Sequence, residues 1–231
     1  MGRVTTIQKN SGSLSDEEIE QLKKVFPNDN RIVLSLFQEV YNEECYHKFF
    51  GNYDTDNPKS DYARRRSTAR RFLNAGFSQI DIGILIGLHD INQEVASLKQ
   101  HISELLNMAD TIYVSLPRVL GCKQIHDTVS DDKYELIIKE LSEDFPSIKL
   151  IITTRENNTF IKKVLPYISV ISPGCSDVLP YTVSGKIENN LQTSQFQVKL
   201  LRDRPTEVLE AINITQSIKY YDRGLMKQRL E

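Results

Sequence analysis

The sequence predicts an α/β fold built from about six parallel strands, two short of a closed (β/α) barrel. Two observations carry this. Short β-branched apolar runs alternate with amphipathic helical patterns along the chain, which is the signature of βα units around a parallel sheet. Six such units can be counted in the 231 residues, whereas a closed barrel needs eight strands and about 250 residues.

Taken in order, the first strand is expected over 3–8 and the second over 32–37. Between them, Ser15 opens Ser-Asp-Glu-Glu, a capping box with acids in the first turn. That helix should run to about Phe26, where Pro27-Asn28-Asp29 stops it. A short helix is expected near 42–50, then a polar insertion over 51–60. A further helix over 62–75 should close at Gly76 in left-handed geometry. The third strand is expected over 80–88. The helix after it, 92–108, carries Val95, Leu98, Ile102, Leu105 and Leu106 on one stripe.

The fourth strand, 111–116, ends at Pro117, and a helix over 131–141 has Ser130 as its cap. The fifth strand is expected over 148–153, a helix over 158–165 ends at Pro166, and the sixth strand occupies 168–172. Beyond it come a Gly-, Pro- and Ser-rich loop, an apolar segment at 196–198, a last helix over 205–212 and a charged tail over 213–231.

Composition narrows the function. Hydrophobic residues are 39% and charged residues 26%, as in a soluble globular protein. A net charge of −2 gives no electrostatic footprint for nucleic acid. No apolar run approaches a membrane span, and the first residues lack the apolar core of a secretory signal, so a cytoplasmic location is expected. Cys45, Cys122 and Cys175 are far apart; an odd count argues against a disulfide framework, and no two stand at metal-ligand spacing. Four histidines, His47, His89, His101 and His126, show no ligand spacing either.

Between residues 37 and 155 stands an ordered series of blocks. FQEVYNEECY occupies 37–46, KSDYARRRSTARRFLNAGF 59–77, IDIGILIGLHD 80–90, YVSLPRV 113–119 and IITTREN 151–157; QTSQFQ follows at 192–197. The series resembles the radical S-adenosylmethionine (SAM) tyrosine lyases: 2-iminoacetate synthase of thiamine biosynthesis, its hydrogenase-maturing relative, and the region shared by biotin and thiamine synthesis enzymes. The likeness covers about residues 3–212. It implies an incomplete (β/α) TIM-type barrel over 1–212, with the biotin and thiamine synthesis-associated region at about 59–170.

By this resemblance, strand 3–8 would be the family's third barrel strand and 168–172 its eighth. The two preceding units carry the family's Cys-x3-Cys-x2-Cys loop, which has no counterpart in this sequence. Three thiolates must converge to hold a 4Fe-4S cluster, so the cluster is expected only from a partner chain.

The resemblance also implies site residues. Glu39 matches a carboxylate that contacts SAM, and Arg65, within Arg64-Arg65-Arg66, the arginine that binds the SAM carboxylate. Gly83 and Leu85 lie on the strand that packs beside the adenine, with Asp81 where relatives have Gly. Thr153 and Arg155 match a Ser-Thr-Arg-Glu motif that binds the substrate carboxylate; Arg118 is a further candidate at the same mouth.

The function implied is a SAM- and amino-acid-binding portion of a lyase acting on tyrosine or a similar aromatic amino acid. Partners would be a cluster-bearing subunit, or a second copy pairing with the open sheet edges. The alternative is a truncated, non-catalytic relative that binds a small molecule or a protein.

Overall fold

The structure is a computed structural model that describes residues 5–8, 14–27, 32–119, 129–153, 156–172 and 210–212. Six strands, β1 (Thr5–Gln8), β2 (Ile32–Ser35), β3 (Gln79–Gly83), β4 (Thr111–Ser115), β5 (Lys149–Thr153) and β6 (Val170–Ser172), form one sheet in chain order. Every pairing is parallel. Sequential parallel strands joined by helices on one face are the plan of an eight-stranded (β/α) barrel; six such strands stand among the described residues.

The helices are α1 (Asp16–Val25), α2 (Glu43–Phe50), α3 (Tyr62–Asn74), α4 (Ile91–Leu105), α5 (Asp131–Asp144) and α6 (Asn158–Val164). Their starts follow side-chain capping. Ser15 and Glu18 form the anticipated capping box on α1. Asn42, Asp61, Asp90, Ser130 and Asn157 accept backbone N–H bonds at the other five. Gly76 stands at φ 87° after α3, as its place in the sequence predicts.

Strand parity separates two environments. Ile32, Leu34, Ile80, Ile82, Ile112, Val114, Leu150 and Ile152 share one core with helix residues such as Phe72, Leu98, Ile102, Tyr134 and Phe160. The pairing register keeps this parity, with Ile80 opposite Ile112 and Val114 opposite Leu150. The alternate residues, Ser35, Gln79, Asp81, Gly83, Tyr113, Ser115 and Thr153, lie on the other face and belong to no part of that core. In a closed barrel this inner face is filled by branched apolar side chains; here it is largely polar.

The predicted third strand, 80–88, is corrected by the structure: regular pairing ends at Gly83. Two isolated bridges, Glu39–Ile84 and Ile86–Arg118, carry the chain onward. The cause is one extra residue in the neighbouring segment. Gln38 and Glu39 both direct their N–H groups at the Gly83 carbonyl, and Leu85 N–H then reaches the Glu39 carbonyl. Such a bulge bends the strand end and re-aims its side chains. The predicted segment 196–198, the tail 213–231, Cys122, Cys175, His126 and Arg155 lie outside the described residues, as does all of the last helix except 210–212. No helix among the described residues is long and apolar enough to cross a membrane.

Candidate functional site

The bulge places Glu39 at φ 72°, in the left-handed region that a non-glycine residue seldom adopts. Strain of this kind, worth about 1–3 kcal/mol, persists only where the surroundings over-determine it. Glu94 of α4 supplies part of that determination. Its buried carboxylate accepts the backbone N–H groups of Tyr41 and Asn42, the latter at 3.0 Å, and faces His89 Nδ1 at 3.1 Å. Tyr62 adds a bond from its hydroxyl to the Tyr41 carbonyl at 2.6 Å. The segment after Glu39 is thus clamped from two helices.

With the backbone held, the Glu39 carboxylate turns toward the first turn of α3. Its Oε1 accepts from Arg65 Nη2 at 3.2 Å and from Lys59 Nζ at 2.9 Å. The Arg65 side chain is 2% exposed, and its Nε donates to the Phe37 carbonyl at 2.6 Å. The three adjacent arginines are therefore distinguished by helical phase. Arg65 shares the buried stripe of α3 with Thr68, Ala69, Phe72 and Leu73, while Arg64 reaches the Leu14 carbonyl and Arg66 pairs with Glu104.

Among the described residues, Arg65 Nη1 and both polar atoms of the Gln38 amide are buried without a hydrogen-bond partner. Buried polar groups are nearly always satisfied in a folded chain. Arg65 Nη1, on the guanidinium that already meets Glu39, leaves a donor free for a small polar ligand.

Below this cluster, β3 comes close to β4. A Cβ built on Gly83 would stand 2.1 Å from the Ser115 carbonyl oxygen, so only glycine permits the approach. Leu85 is half-buried against a small second cluster of Val40, Tyr46, Leu88 and Val119. Asp81, two residues before Gly83, accepts the hydroxyls of Ser35 at 2.7 Å and Ser115 at 2.8 Å. Burial pushes its carboxyl up to about 6, against the lowering effect of the two serines.

Among the described residues, neither Thr153 nor the Arg118 side chain is hydrogen-bonded to Glu39, Arg65 or Asp81. Thr153 ends β5, half-buried on the inner face; Arg155 lies outside the described residues. Arg118 has a structural setting. Its guanidinium forks onto Glu156, meets the Val129 carbonyl at 2.8 Å and Asp131 at 2.7 Å, and lies over the Tyr134 and Phe160 rings. All three nitrogens are engaged, so a substrate carboxylate would have to displace Glu156 or Asp131. Burial raises the Glu156 carboxyl despite that pairing. His101, on α4, meets the Tyr41 hydroxyl at 2.7 Å, and burial holds the ring well below its ordinary titration range, at about 3. That is a packing role.

Sequence reasoning missed Gln38, Lys59 and Glu94 as parts of the site. Lys59 opens the KSDY block, but nothing periodic in the polar insertion announces that it will reach Glu39.

The group implied by the resemblance divides when tested against these residues. The unpartnered Nη1 of Arg65, on a guanidinium that meets the Glu39 carboxylate, fits the amino-acid end of SAM. An iron–sulfur cluster does not fit the described donors. Cys45 gives its thiol to the Leu88 carbonyl, and burial raises its pKa, the opposite of what a thiolate ligand needs.

No protein-family profile matches the chain. Among curated proteins, it is 25% identical over 226 residues to 2-iminoacetate synthase of Escherichia coli strain K12, covering 93% of this chain and 55% of that protein. The chain thus spans about half the length of that relative.

Among solved structures, it resembles HydG, a maturase of the [FeFe]-hydrogenase, with a TM-score of 0.63 and 26% identity over 75% of this chain and 38% of the other. HydG from Carboxydothermus hydrogenoformans gives 0.69 at 23% identity, covering 91% of this chain and 46% of that one. Methylornithine synthase (PylB) gives 0.56 at 17% identity, over 96% and 61%, a likeness of fold. By sequence and by fold, the chain is similar to the radical SAM tyrosine lyases, 2-iminoacetate synthase and HydG.

Proposed function

We propose that this chain is the SAM- and amino-acid-binding portion of a radical SAM lyase acting on tyrosine or a similar aromatic amino acid, and that a partner polypeptide supplies its iron–sulfur cluster. The observation that carries the reading is the buried Glu39–Arg65 pair at the strand mouth, where Arg65 Nη1 has no hydrogen-bond partner; the amide of Gln38, the residue before Glu39, is also buried without one. Glu39 would receive the ammonium of SAM, and Arg65 and Gln38 its carboxylate. Gly83 would leave room for the adenine against β3. Held at a reduced cluster, SAM supplies radical chemistry by one-electron cleavage; the residues described here bind and orient.

Lys59 neutralises part of the Glu39 charge and so holds the carboxylate in place before a ligand arrives. Thr153, which ends β5, and Arg155 are assigned to the substrate carboxylate by their match to the family motif.

The test is anaerobic purification from the native host with a SAM-cleavage assay. The reading expects a second chain carrying Cys-x3-Cys-x2-Cys to co-purify, with 5′-deoxyadenosine formed by the pair and none by this chain alone. Deoxyadenosine from the single chain contradicts the need for a partner. SAM bound with no cluster-bearing chain and no cleavage favours the non-catalytic relative instead.

A further inference from the structure

Asp81 is a buried carboxylate for which the reading above has no use. It is 7% exposed, stands on the inner face of β3, and has Ser35 of β2 and Ser115 of β4 on either side. Among the described residues no cation pairs with it; burial and the two serine hydroxyls are its whole setting. A buried charge without a counter-charge is costly, and folded chains seldom keep one to no purpose.

The chemistry of the triad limits what could complete it. Each serine has one O–H, and each gives it to Asp81. What remains is acceptor capacity: the free lone pairs of the carboxylate and of two hydroxyl oxygens. Such a site rejects carboxylates, carbonyls and phosphates, and accepts a group that only donates, above all one that also carries positive charge. It lies about 7 Å down the strand from Gly83 by strand rise, deeper than the Glu39–Arg65 pair, so the two sites do not compete for one group.

We propose that Asp81, with Ser35 and Ser115, binds the ammonium group of the amino-acid substrate on the inner face of the sheet. This rests on the amino-acid reading above, and it assigns to Asp81 a binding role separate from the SAM site.

The test uses the full chain with SAM present and two probes that differ in one group: L-tyrosine, and 3-(4-hydroxyphenyl)propanoate, which lacks the amine. Calorimetric titration should show L-tyrosine bound at least about tenfold more tightly by the unaltered chain, with the preference falling below about threefold in Asp81→Asn. An undiminished preference in Asp81→Asn overturns the assignment while leaving the amino-acid reading intact. Failure of the unaltered chain to bind either probe overturns both. A second readout needs no variant: the carboxyl carbon resonance of Asp81 should move with L-tyrosine and stay still with the desamino acid. A resonance that ignores L-tyrosine overturns the assignment.

Discussion

Replacing Asp81 by Asn tests the electrostatic account of the inner face through stability alone. In the folded chain, burial raises this carboxyl from 3.8 to about 6. Between those values the folded state holds a proton that the unfolded state has released. The contribution of Asp81 to stability is therefore fully present below about pH 4 and lost as pH rises through about 6. A displacement of about two pH units corresponds to roughly 3 kcal/mol. Asn keeps the shape, and either serine can rotate to accept from its amide, but it does not titrate.

Urea unfolding of both proteins at several pH values between 4 and 8 isolates the term, because every other titrating group cancels in the difference. Relative to Asp81→Asn, the unaltered chain should lose about 3 kcal/mol from pH 4 to pH 8. A difference that stays flat within about 0.5 kcal/mol would refute the reasoning, since it would mean that Asp81 is hydrated or has a cation beside it.

Two other substitutions test the scaffold. Gly83→Ala drives a methyl group to 2.1 Å from the Ser115 carbonyl. It should cost about 1–3 kcal/mol or more in chemical unfolding, because β3 and β4 must part; a neutral result would show that the strands are not so close. Arg118→Leu leaves Glu156 buried and unpaired, at a cost of about 3–5 kcal/mol, and adding Glu156→Leu should restore much of it. If the double variant is no better than the single one, the guanidinium matters mainly for its contacts with Tyr134 and Phe160.

Most of the framework was legible in the sequence because local signals agreed with it. The Ser15–Glu18 box, the Ser130 cap and Gly76 all act within one turn, and the alternation of Ile80, Ile82 and Ile84 marks one buried face. Even Arg65 carried a readable sign, since it stands three, four and seven residues before Thr68, Ala69 and Phe72. What stayed hidden was long-range. The bulge at Glu39 depends on hydrogen bonds to β3, and the reach of Lys59 depends on a non-periodic insertion. The engagement of Arg118 by Glu156 joins residues 38 apart in sequence. Asp81 was visible as a departure from the family's glycine, but its serine partners lie 46 and 34 residues away.

The account stands most directly on whether this chain holds SAM through the Glu39–Arg65 pair. Equilibrium dialysis of radiolabelled SAM against the purified chain, beside Glu39→Gln and Arg65→Ala, measures it. The account predicts saturable binding by the unaltered chain, weakened by about tenfold or more in each variant, since truncating one member of a buried charge pair removes a ligand contact and strands the other. Equal binding in all three, or none in the unaltered chain, would contradict it.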